Sequence, residues 1–269
     1  MNLWEIVVIY LVAGSIAGFL AGLLGVGGGV LIVPILLFLF MAQHFPADHL
    51  MHIAIGTSFA SIMFTSVSSL RAHQAHGAIN WSIVKRITPG ILLGTLAGTF
   101  LVARLPAGLL KGFFIVFIFY VATQLLLNLR PKPKRELPGT VGMAAAGGVI
   151  GLVSSFVGIG GGAMSVPFLT WSNVRMHNAI GTSAAIGFPL SIAGTIGYTL
   201  NGWSVTNLPE WSLGFVHLPS LAGLVVTSVL VAPLGARAAH KLPVPTLKRI
   251  FAVFLYVIGT KLLLSVLGL

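Results

Sequence analysis

The chain has 269 residues, of which 57% are hydrophobic and only 7% charged, with a net charge of +11 and no cysteine. A soluble domain carries about 25% charged residues because its surface must face water, so an ordinary soluble protein is excluded. The absence of cysteine removes disulfides, thiolate nucleophiles and Cys–zinc sites.

The N-terminal stretch has no basic leader, and its apolar run continues past any plausible cleavage point, so it reads as structure and not as a signal peptide. No Asp, Glu, Lys or Arg occurs between Ile6 and Ala47, or between Leu137 and Val174. One span needs about 20 apolar residues, so each run is long enough to cross twice or to form a hairpin inside a bilayer. Further uncharged runs cover 49–70, 87–103, 112–129, 176–209 and 211–236. Together they predict an all-α, polytopic membrane protein of roughly eight to ten segments, some of them glycine-broken helices or re-entrant hairpins.

An internal repeat organises these segments. Gly25-Val-Gly-Gly-Gly29 with Val33-Pro34 recurs as Gly158-Ile-Gly-Gly-Gly162 with Val166-Pro167. Ala54-Ile-Gly-Thr-Ser58 recurs letter for letter at Ala179–Ser183, and Leu110-Lys111 has its counterpart in Leu247-Lys248. The divisions are a first repeat over 1–129, a basic, proline-rich linker over 130–138 and a second repeat over 139–269.

The bases concentrate in loops: Arg71, Lys85 and Arg86, then the linker, then Arg237 through Arg249. Loop Lys and Arg face the cytoplasm in membrane proteins, which accounts for the charge without nucleic acid. With the linker inside, loop 71–86 falls inside, while the loops holding Asp48 and Glu210 fall outside; Arg104 and Lys111 run against the trend. The basic loop 71–86 and the acidic loop 200–216 thus hold equivalent places on opposite sides. That is the signature of an inverted-topology repeat.

The glycine clusters point to a binding site. Irregular backbone inside a bilayer is tolerated where protein or a wet cavity satisfies it. Consecutive amides in a glycine turn form an anion-binding concavity, and the half-helix that follows aims its positive end the same way. The candidate residues are Gly27, Gly28 and Gly29 with Gly160, Gly161 and Gly162. Thr57 and Ser58, with Thr182 and Ser183, could add hydroxyl donors, although hydroxyls also bond to carbonyls one turn back or join helices. Ser61, Thr65 and Ser68 continue the Thr57 face at helical spacing, and Ser191 and Thr195 do the same for Ser183, beside a predicted kink at Pro189. Gly14, Gly18 and Gly22, and Gly90, Gly94 and Gly98, read as close helix packing.

In these segments the sequence resembles the TauE/SafE family of sulfite exporters and sulfite/sulfonate permeases, over nearly the whole chain. The resemblance implies a multi-pass permease of a bacterial or archaeal inner membrane, exporting or exchanging sulfite, sulfonates or related sulfur-containing anions, with no cofactor. The residues themselves agree with an anion. All four carboxylates, Glu5, Asp48, Glu136 and Glu210, lie near segment ends or in loops, whereas a cation carrier usually needs buried acids. Cation transport is the alternative, because unwound carbonyls also bind sodium. His44, His49 and His52, and His73 and His76, form two clusters without carboxylate partners, so no metal is expected. An intramembrane enzyme would need a nucleophile–base pair within the bilayer, and no such spacing stands out. Arg71 and Lys261 are the bases nearest to membrane segments, where long basic chains commonly snorkel to the interface.

Overall fold

A computed structural model describes residues 2–25, 28–127, 136–241 and 244–267. The first half contains α1 (Leu3–Leu24), α2 (Gly29–Ala42), α3 (Leu50–Ala75), α4 (Trp81–Val102) and α5 (Ala107–Leu126). The second contains α6 (Thr140–Val157), α7 (Gly162–Trp171), α8 (Met176–Gly202), α9 (Leu218–Lys241) and α10 (Val244–Leu267). Seven of the described helices are long and apolar enough to cross a membrane. The protein is a polytopic, all-α membrane protein, with α2 and α7 as short helices of 14 and 10 residues. One small feature departs from the all-helical expectation: β1 (Ser212–Leu213) and β2 (Val216–His217) pair as a hairpin ahead of α9.

Helix packing explains the glycines spaced by four. Along α1, a Cβ on Gly14, Gly18 or Gly22 would overlap the carbonyl oxygen of Leu224, Ser228 or Ala232 on α9. The two helices therefore run parallel with their backbones in contact. Gly90 and Gly94 of α4 meet Ala144 and Gly148 of α6 in the same parallel manner, and Gly98 meets Ser155. In hydrocarbon, where no hydrophobic force drives helices together, such close approach supplies the dispersion contact that does. Helix α1 against α9 and α6 against α4 are equivalent interfaces, with the two halves exchanging partners.

At the centre lie α3 and α8, which run antiparallel: Gly194 packs on the Phe59 ring, and a Cβ on Gly187 would stand 3.9 Å from Ser66 Cβ. Pro189 sits inside α8, which continues unbroken through it from Met176 to Gly202. Helix α2 returns to the end of the bundle where α1 begins, with Gln43 Nε2 donating to the Tyr10 hydroxyl at 3.3 Å. Residues 130–135 of the linker lie outside the described residues.

Candidate functional site

Each half turns sharply inside the bundle. Helix α1 ends at Gly25 with φ 66°, and α2 begins after Gly28 with φ 74°. Helix α6 ends at Gly158 with φ 67°, and α7 begins after Gly161 with φ 77°. These are left-handed conformations that cost a side-chain-bearing residue about 1–2 kcal/mol, which accounts for the paired glycines. The two turns touch, because a Cβ on Gly29 would overlap Gly158 O. Gly160 O lies beside Gly187, 3.2 Å from where its Cβ would stand. Gly27 lies outside the described residues.

The helical ladders start at the second left-handed glycine of each turn. Leu31 and Ile32 both donate to Gly28 O, and Met164 and Ser165 both donate to Gly161 O. The amides of Gly29 and Val30, and of Gly162 and Ala163, therefore precede the first rung of their own helices. They carry the partial positive charge of a helix N-terminus in the buried core.

The repeated Ala-Ile-Gly-Thr-Ser segments join the halves residue by residue. Ile55 packs against Gly158, and Ile180 against Gly25. Gly56 admits the Phe215 carbonyl, and Gly181 admits Ala78 O at 2.8 Å from the place of its Cβ. The Thr57 hydroxyl accepts from the His217 amide at 2.9 Å, and Thr182 accepts from the Asn80 amide, also at 2.9 Å. Ser58 Oγ donates to Gly158 O at 2.8 Å, and Ser183 Oγ donates to Gly25 O at 3.0 Å. All four hydroxyl residues are fully buried. Each thus braces the opposite half's turn or helix start, and Ser183 also meets Ser165 Oγ at 2.7 Å.

The remaining hydroxyls mostly serve packing. Thr65 Oγ1 lies 2.8 Å from Ser228 Oγ, and Ser68 donates to Val229 O at 2.7 Å, tying α3 to α9. Ser191 and Thr195 donate to carbonyls of their own helix. Ser61 and Ser69 differ: neither buried hydroxyl has a hydrogen-bond partner among the described residues. Ser69 lines, with Ser66, Ala21, Gly25, Ala184 and Gly187, a cavity of about 10 Å³. That is roughly the space of one water. An oxyanion does not fit this cavity.

Lys261 places its ammonium 4.7 Å from the centre of the Phe38 ring on α2, a cation–π contact. Among the described residues no group of three or more His, Cys, Asp or Glu is arranged to hold a metal. One buried polar chain went unread in the sequence: His217 Nδ1 lies 2.6 Å from Ser220 Oγ, which donates to the Tyr10 hydroxyl at 2.7 Å. Phe40 and Phe45 enclose the His217 ring. Burial lowers the His217 pKa from 6.5 to about 4.

Comparison with known proteins bears on the whole chain. The family model described as "Sulfite exporter TauE/SafE" matches residues 10–262. A protein of Haemophilus influenzae named "probable membrane transporter protein" is 38% identical over 98% of this chain and 100% of its own length. Proteins with the same description from Methanocaldococcus jannaschii and Bacillus subtilis are 27% and 28% identical, covering 94% and 95% of this chain and 94% and 97% of their own lengths. No solved structure matches the chain.

Proposed function

This chain belongs to the TauE/SafE sulfite exporter family, a family of membrane transporters, and we propose that it exports small sulfur-containing oxyanions such as sulfite or sulfonates. The substrate contacts are the two glycine turns: Gly27, Gly28 and Gly29 on one side, and Gly160, Gly161 and Gly162 on the other. Ser58 and Ser183 hold those turns in place, Thr57 and Thr182 hold the helix starts beside them, and all four stand next to the anion.

One observation carries the choice of an anion. At each turn a helix C-terminus and a helix N-terminus meet, offering carbonyls to a cation or amides to an anion. Ser58 and Ser183 already donate to the carbonyls of Gly158 and Gly25. The amides of Gly29, Val30, Gly162 and Ala163 stand ahead of their helical ladders and are the donors an anion would use. A sodium site on unwound carbonyls would compete with both serine hydroxyls.

The inverted-repeat reading, with halves 1–129 and 139–269 about the linker 130–138, draws support from the antiparallel α3 and α8. These are equivalent helices of the two repeats, so a two-fold operation exchanging them has its axis perpendicular to them. In a membrane protein that axis lies in the bilayer plane. Passage then requires the halves to part at the turns, first toward one side and then toward the other.

The test is a flux panel in liposomes containing purified protein, with sulfite, sulfonates, sulfate, thiosulfate, chloride and sodium. Selective sulfite or sulfonate flux is expected. Sodium flux that needs no anion would overturn the assignment.

A further inference from the structure

Toward the ends of α3 and α9 the two helices part into a groove of about 550 Å³, into which Arg71 and Arg237 both project. Its remaining wall is largely apolar, with Phe64, Val67, Val229 and Pro233, and also includes Ser68 and His76. The Ser68 hydroxyl bonds Val229 O and so holds the two helices together at this point. None of the chain's four carboxylates lines the groove. Among the described residues, two guanidinium groups thus share one concavity that no carboxylate lines.

The groove does not belong to the glycine turns. On α3, Phe64, Val67 and Arg71 lie on the opposite face from Ser66 and Ser69, which line the small cavity beside Gly25. Phe64, which lines the groove, is instead exposed at the bundle surface at 44%, as are Leu230 at 71% and Leu234 at 51% on α9. The repeat does not dictate the arginines either. At the equivalent places, counted from Thr182 for α8 and from Asn80 for α4, stand Ile196 and Phe100, both exposed and apolar.

We propose that this groove binds an anionic membrane phospholipid, its phosphodiester held between Arg71 and Arg237 and one acyl chain laid along Phe64, Val67, Val229 and Pro233. Guanidinium groups suit phosphate because their planar forks donate two parallel hydrogen bonds. Basic pockets between helices near the cytoplasmic face have this chemistry, and the sequence-derived orientation puts the ends of α3 and α9 on that face. A free oxyanion could use the same two charges, but it would have no use for a lateral opening with apolar walls.

Native mass spectrometry of the protein, released from micelles holding equal amounts of phosphatidylglycerol and phosphatidylcholine with identical chains, tests this directly. The wild type is expected to retain phosphatidylglycerol preferentially. The Arg71→Gln/Arg237→Gln variant should retain about tenfold less, the loss of one to two charge-assisted contacts. Arg71→Lys/Arg237→Lys should keep part of the preference. Equal retention by the wild type and the glutamine variant overturns the proposal. So does a wild type with no preference, a measurement that does not depend on any variant folding. Displacement of the lipid by millimolar sulfite or inorganic phosphate would assign the groove to a soluble anion instead.

Discussion

The Ser58 hydroxyl donates to the carbonyl of Gly158 at 2.8 Å, joining the motif of one half to the glycine turn of the other. Ser183 does the same for Gly25 at 3.0 Å. Ser58→Ala leaves a buried carbonyl without this donor, at a cost of about 1–3 kcal/mol. Each alanine variant should therefore lower the thermal midpoint of the purified protein. The double variant should depart from additivity, because both bonds cross one interface. Unchanged midpoints in both single variants would show that the bonds do not hold the halves together.

The two turns should tolerate alanine unequally. Gly28 and Gly161 both have positive φ, so either substitution carries the left-handed cost of about 1–2 kcal/mol. A Cβ at Gly28 would stand 2.7 Å from Ala17 O, which is backbone and cannot yield cheaply. At Gly161 the nearest atom is Leu190 Cδ1 at 2.9 Å, the tip of a flexible side chain. Gly161→Ala is expected to fold and to carry anion at a reduced rate, whereas Gly28→Ala should give less folded protein on size exclusion. Gly161→Val that folds and transports at the wild-type rate would remove this turn from the site.

Much of this arrangement was legible beforehand, for a local reason. Glycines at Gly25–Gly29 and Gly158–Gly162 announce a turn by composition, and the doubled Ala-Ile-Gly-Thr-Ser announces a repeat by identity. The partners of those residues were not legible. Thr57 meets His217 and Ser58 meets Gly158 only after the bundle forms, and no local window contains both members. The same holds for Tyr10, Ser220 and His217. The β1–β2 hairpin escaped because two-residue strands are too short to show any alternation. The hydroxyls could be read as lining a path or as joining helices; the structure engages them in bonds between the halves.

The absence of cysteine makes the topology directly measurable. Single cysteines near Asp48 and Glu210 should react with a membrane-impermeant maleimide added outside. Cysteines replacing Lys85, or Arg130, Lys132 and Lys134 of the linker, should react only after the membrane is opened. Labelling of the Lys85 and Glu210 positions from the same side would contradict the inverted arrangement.

His217 sets an acid limit to stability. In the folded protein burial holds its pKa at about 4, below the ordinary 6.5. The unfolded chain therefore takes up this proton first as the pH falls. The contribution of neutral His217 is complete above about pH 6.5, declines below it and is exhausted near pH 4. Thermal midpoints should follow that course, and His217→Gln should flatten it. An acid limb of unchanged steepness in the variant would assign the effect to other groups.

The final prediction concerns the energy source. All four carboxylates lie near segment ends or in loops, and no nucleotide-binding motif is present. The chain thus carries no embedded carboxylate for proton or sodium coupling. An anion leaving a negative-inside cell gains ~2.3 kcal/mol per charge per 100 mV, which is ~1.7 powers of ten in concentration ratio. A divalent anion gains twice that, enough to expel it without another coupled ion. Sulfite flux from proteoliposomes should therefore rise when a potassium diffusion potential makes the interior negative, and should persist after a pH gradient is collapsed. If a pH gradient alone drives uphill accumulation and the potential has no effect, transport is electroneutral. The proton is then carried by the substrate or by a histidine, and the potential is not the engine.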